Sequence, residues 1–96
     1  MEDKTTKTAN TDAASQVELG MTHLHANRYD DAMTAFEHAL TLDPKCAEAW
    51  NGIGRVNYNI GTPEAAITAY ERAIAIDRHC DHAYYGIGIL LSAKLG

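Results

Sequence analysis

The densest set of chemistry-bearing side chains is His79-Cys80-Asp81-His82, which puts imidazole, thiol and carboxylate groups within four residues. Such groups suit zinc or another borderline metal when their spacing lets three or four converge. Here no pair has a zinc-finger spacing. Cys46 lies 34 residues before Cys80. His23 and His25 are two apart, which on a helix points them in different directions. The expectation is therefore no metal site, with the cysteines as small apolar fillers and the histidines at the surface. Gly52-Ile53-Gly54 and Gly86-Ile87-Gly88 invite a nucleotide-loop reading. A phosphate loop follows a strand and leaves backbone N–H groups free, whereas both stretches fall inside helical patterns. Ser15 and Ser92 have no base nearby in the sequence, and Asp30, Asp31, Glu64 and Glu71 read as helix-start charges or solvated faces. No catalytic residue, cofactor or enzymatic activity is expected.

Composition narrows the partners. The chain has 96 residues, 8 Lys and Arg against 13 Asp and Glu, and a formal charge of −5. That balance argues against a nucleic-acid backbone or an anionic membrane surface as the partner. The longest apolar uncharged run, Ala83 to Ala93, is well short of the roughly 20 residues that span a bilayer. The N-terminus lacks a basic-then-apolar secretory pattern. Two cysteines are too few for a disulfide framework, so a reducing, cytoplasmic setting is expected. Residues 1–12 are almost wholly polar and read as a flexible tail, because they bury nothing to offset their ordering entropy.

From Ala13 onward the chain repeats. Segments 13–46 and 47–80 align without a gap at a period of 34, with Gly20/Gly54, Ala32/Ala66, Ala35/Ala69, Ala39/Ala73, Asp43/Asp77 and Cys46/Cys80 among the identities. A partial third copy, 81–96, keeps Ala83, Gly86, Ile87 and Gly88 against Ala49, Gly52, Ile53 and Gly54. A period of this length with small residues at fixed places marks a helical repeat array. The second copy supplies Trp50, Ile53, Gly54, Ala66, Tyr70 and Ala73; the first supplies Leu19, Gly20, Ala32, Phe36, Ala39 and Pro44. In these residues the chain resembles the tetratricopeptide repeat family. It departs at Gln16, His23, Asn57 and Arg78. The resemblance implies an all-α helical-hairpin array of two and a half repeats, a solenoid of five helices near 13–26, 29–42, 47–60, 63–76 and 81–94.

Local signals agree. Thr62-Pro63-Glu64 reads as a helix start with a hydroxyl cap, and Gly61 and Asn27 suit left-handed helix ends. Gly20, Gly54 and Gly88, with Ala32 and Ala66, are expected where helices cross. Phe36, Trp50, Tyr70 and Tyr84 are expected between helices, with the Trp and Tyr tips reaching water or a partner.

The family resemblance further implies a concave groove lined by the first helix of each repeat. Its residues would be Val17, Met21, Leu24 and His25, then Asn51, Arg55, Tyr58 and Asn59, then His82, Tyr85 and Ile89. A peptide or partner helix would bury apolar side chains there, with Asn51, Arg55 and Asn59 fixing its register. The last helix is apolar on more than one face, so Tyr84, Ile87, Leu90 and Leu91 are expected to associate with another copy or another repeat. The expected function is a non-catalytic protein–protein interaction module, an adaptor or scaffold. A self-assembling subunit, a homodimer or a piece of a longer array, is the alternative.

Overall fold

The computed structural model describes residues 12–95, with side chains through Ser92. Residues 1–11, most of the expected tail, lie outside the described residues. Asp12 belongs to the folded unit instead. Its carboxylate accepts the Ser15 N–H at 2.9 Å and caps the first helix. The Ser15 side chain, and after it that backbone bond, hold the Asp12 carboxyl below the usual carboxylate range.

Five helices follow among the described residues: α1 (Ala13–His25), α2 (Tyr29–Leu42), α3 (Ala47–Ile60), α4 (Pro63–Ile76) and α5 (Asp81–Leu95). The turns show why they stop where they do. After α1, Asn27 adopts a left-handed φ of 63°, and after α3, Gly61 adopts 86°. In both places a following N–H returns to an orphan carbonyl, Arg28 to His23 and Thr62 to Asn57. The hydroxyl of Thr62 does not cap α4, contrary to the sequence reading. It bonds back to the Asn57 backbone and side-chain oxygens at 3.1 and 3.0 Å, tying off α3. Proline at the first position of α4 removes one N–H that would need a cap. The two longer turns are copies of one another. Asp43 accepts the Lys45 N–H, and Asp77 accepts the His79 N–H, at 3.0 and 2.9 Å. Cys46 and Cys80 then close the same backbone bond to Asp43 and Asp77. The Asp and Cys identities at the 34-residue period therefore encode one turn twice.

Helices pair as α1·α2 and α3·α4, the pairs stack through α2·α3 and α4·α5, and the first helices touch one another as α1·α3·α5. What permits the stacking is a pair of rings set on glycines. Phe36 on α2 is fully buried between Gly20 of its own hairpin and Gly52 of the next. Tyr70 on α4 sits likewise between Gly54 and Gly86. A Cβ would stand 2.5 Å from the Phe36 ring at Gly20 and 2.6 Å from the Tyr70 ring at Gly54 and at Gly86, inside any tolerable contact. Each Gly-Ile-Gly stretch starts out the same way. Its first glycine receives the ring of the preceding repeat. In α3 its second glycine receives the ring of its own repeat. Buried alanines at 32, 39, 66 and 73 flank those rings and let the backbones approach.

Two expectations fail at the end of the stack. A Cβ at Gly88 would meet nothing within 4 Å, so this glycine is not at a helix crossing. Tyr84 is 50% exposed rather than held between helices. The cause is common to both: no helix among the described residues covers that side of α5. The cysteines are free. Cys46 is buried at the junction with Ala39 and Ala49, where desolvation pushes its thiol up. Cys80 packs against the cluster around Tyr70. No helix among the described residues is long and apolar enough to cross a membrane.

Candidate functional site

The first helices of the second and third repeats form the walls of an open cleft of about 350 Å³. Its lining is Arg55, Tyr58 and Asn59 from α3, His82, Tyr85, Gly86 and Ile89 from α5, and Tyr70 from below. Spacing explains the selection. Arg55 and Tyr58 are three apart on one helix, while His82, Gly86 and Ile89 are one turn apart in succession, so each set shares a face. Tyr85 is 73% exposed and Tyr58 48%, so both rings stand bare at the mouth. Arg55 supplies the cation. Burial pushes the Tyr70 phenol above its ordinary range, and the Arg55 charge partly opposes the shift.

Six of the expected groove residues therefore come together: Arg55, Tyr58, Asn59, His82, Tyr85 and Ile89. The first repeat does not extend the cleft. Leu24 is buried, 4% exposed, in the core with Phe36 and Val56, and cannot meet a partner. Val17 and Met21 pack partly buried against the same core. That stripe of α1 packs into the cluster formed by Phe36 of α2 and Ile53 and Val56 of α3. His25 is exposed at the end of α1, away from the cleft lining. Asn51 shares the stripe of Arg55 and Tyr58 but is half-buried, and its side-chain oxygen has no hydrogen-bond partner.

Two lining residues were not anticipated. Gly86 is legible in hindsight, because it lies one turn from both His82 and Ile89. Tyr70 carried no such signal, since it belongs to a second helix. It reaches the cleft because Gly54 and Gly86 have no side chains to stop its ring passing between α3 and α5. A third missed contact lies outside the cleft, where the Arg72 guanidinium stands 5.1 Å from the centre of the half-buried Trp50 ring.

The last helix divides its apolar residues. Leu90 is buried, 5% exposed, and Ile87 packs partly buried on the same cluster with Ala83 and Tyr70. Leu90 is thus a core residue and not part of an association surface, because 83, 87 and 90 form the stripe that faces α4. Tyr84 and Leu91 remain exposed on another side. In the 79–82 segment, His79 is exposed in the turn, Cys80 points into the core and His82 lines the cleft. Among the described residues no group of three His, Cys, Asp or Glu side chains converges on one point.

Stacked helical hairpins, rings seated on glycines and an open cleft on the first helices define a helical-repeat interaction module. The Tetratricopeptide repeat family model matches residues 17–81, and the chain belongs to that family. The crystal structure of MamA is similar, with a TM-score of 0.81 and 30% identity over 88% of this chain. The match takes in 49% of the MamA chain, so this chain spans about half the length of that protein. No curated protein matches significantly. Tetratricopeptide repeats generally mediate protein–protein interaction and are typically non-catalytic.

Proposed function

We propose that the chain is a non-catalytic adaptor that binds a peptide segment of a partner protein in the cleft between α3 and α5. One observation carries the reading. Two large rings, Tyr58 and Tyr85, stand exposed at the mouth of one concavity whose walls also hold Arg55, His82 and Ile89. Aromatic residues beside an Arg are the usual energetic centres of protein interfaces. The space suits a few side chains of a segment, not a whole domain. Ile89 and the tyrosine rings suit apolar anchors on the ligand, and Arg55 suits a carboxylate near them. A reducing, cytoplasmic setting fits the two free thiols.

The test is peptide selection from a random displayed library on the full chain, followed by affinity measurement. Replacing Tyr58 and Tyr85 together with Ala should weaken the selected peptides by about 1–3 kcal/mol per ring. Both rings are exposed, so the thermal melt should hardly change. Peptides that bind the double variant as tightly as the wild type place the interface elsewhere.

A further inference from the structure

The two rings seated on glycines differ by one oxygen atom. Phe36 and Tyr70 hold the same place in successive repeats, and in each the far ring carbon, Cζ, lies between two first helices. At Tyr70 that carbon would stand 2.8 Å from a Cβ at Gly54 and 2.6 Å from one at Gly86. The hydroxyl it carries therefore projects past both glycines toward the cleft, which Tyr70 lines from below. Tyr70 is only 4% exposed, yet its hydroxyl makes no hydrogen bond among the described residues. An O–H at the floor of a cleft, with no partner on its own helices, is a donor open to a ligand. Packing alone is served by Phe, as the preceding repeat shows.

The walls agree with the floor. Arg55 on α3 is near enough for its charge to act on the Tyr70 phenol, and His82 stands on the α5 wall. No Asp or Glu lines the cleft, although the chain holds 13 of them against 8 Lys and Arg. One repeat earlier, Met21, Phe36 and Glu48 hold the places of Arg55, Tyr70 and His82. Two of those changes add a hydrogen-bond donor to an apolar place, and the third replaces a negative charge with an imidazole. Burial keeps the phenol protonated, so it donates. Building on the peptide cleft proposed above, we infer that it receives a carboxylate side chain, Asp or Glu, of the bound partner segment, held between the Arg55 guanidinium and the Tyr70 hydroxyl. Arg offers a carboxylate two parallel bonds, and the phenol adds another donor. One permanent cation suits a single negative charge better than the nearly two of a phosphate. The hydroxyl lies at the floor, while the Tyr58 and Tyr85 rings stand at the mouth. A side chain hanging from a segment held by the rings reaches the floor, whereas a C-terminal carboxylate would have to bring its backbone down with it.

The probes are peptides selected on the full chain from a random displayed library, then made acetylated and amidated so that they carry no terminal carboxylate. Their shared pattern should hold an Asp or Glu beside an apolar residue. Changing that acid to its amide should weaken binding at least about tenfold. Tyr70→Phe and Arg55→Met in the chain each install the residue of the preceding repeat. Each should weaken the acidic peptide about tenfold and leave the amide peptide unchanged. Tyr70→Phe keeps the ring between its glycines, so its melting temperature should match wild type. Peptides that are lost in the Tyr58→Ala, Tyr85→Ala double variant but bind equally as acid and amide overturn the carboxylate site and leave the cleft standing. Full binding of the acidic peptide to both Tyr70→Phe and Arg55→Met does the same. Peptides that survive the double tyrosine variant overturn the cleft itself. Tighter binding of an amide peptide once its C-terminus is freed makes a chain end the ligand and overturns the side-chain source. Peptide binding that tightens about tenfold in a Glu2→Gln, Asp3→Asn chain makes the chain's own N-terminal segment the occupant and overturns a partner.

Discussion

α3 and α5 contain nearly the same stretch, Ala49-Trp50-Asn51-Gly52-Ile53-Gly54 and Ala83-Tyr84-Tyr85-Gly86-Ile87-Gly88. Their first glycines do the same work, receiving Phe36 and Tyr70 from the repeat before. Their second glycines differ completely. Gly54 is buried beneath the Tyr70 ring, and Gly88 is exposed with nothing opposite it. A glycine inside a helix costs about 1 kcal/mol relative to alanine. At Gly54 the ring packing offsets that cost within the chain. At Gly88 nothing among the described residues does, so the same residue type packs a ring in one repeat and stands open in the next.

The sharpest way to break this contrast is to remove the rings. Tyr70→Ala empties a buried space between two glycines and should cost about 3–5 kcal/mol, measured by urea or thermal unfolding. Tyr84→Ala removes a ring that is half in water and should cost only about 0.5 kcal/mol. Equal losses would mean that Tyr84 is packed as Tyr70 is. Next come the glycines. Gly54→Leu forces side-chain volume against Tyr70 and should destabilise by about 1–3 kcal/mol. Gly88→Leu meets open space and should stabilise by about 0.5–1 kcal/mol through helix propensity. A Gly88→Leu chain that melts lower than wild type would show that face of α5 already covered. The smallest effect concerns the closed end. The Asp12 carboxyl, held low by the Ser15 side chain and then its N–H, favours the folded chain above its unfolded pKa. That contribution is lost as pH falls through the depressed folded value. Acidification should therefore lower the protection factor of the Ser15 amide first, while amides at the centre of α3 stay protected. A Ser15 protection factor that is flat across the carboxylate range removes the cap from the account.

The helices were legible almost to the residue because their ends are local devices. Asn27 and Gly61 take the left-handed conformation, Asp43 and Asp77 bend the same turn, and Pro63 has a fixed φ suited to the first position of a helix. Thr62 was misread because its hydroxyl had two local choices, the helix before it and the helix after it, and sequence order does not rank them. The cleft was half legible. Residues on one face of α3 and of α5 stay together whatever the packing, so Arg55, Tyr58, His82 and Ile89 were found. Leu24 and Leu90 were not separable from them by type, since an apolar residue reads the same whether it faces a neighbour or water.

The sequence by itself determined the period, the five helices, their turns and the two ring positions, because these follow from backbone preferences and from spacing along one chain. Which glycine receives which ring was decided only in three dimensions. Gly52 and Gly54 are two residues apart and face different helices, and Gly88 differs from Gly54 by what lies across from it, not by its own chemistry. Tertiary structure likewise chose Leu24 for the core and Tyr85 for the surface. Burial is a property of neighbouring helices, and the rings that meet the glycines here come from residues 16 positions away along the chain.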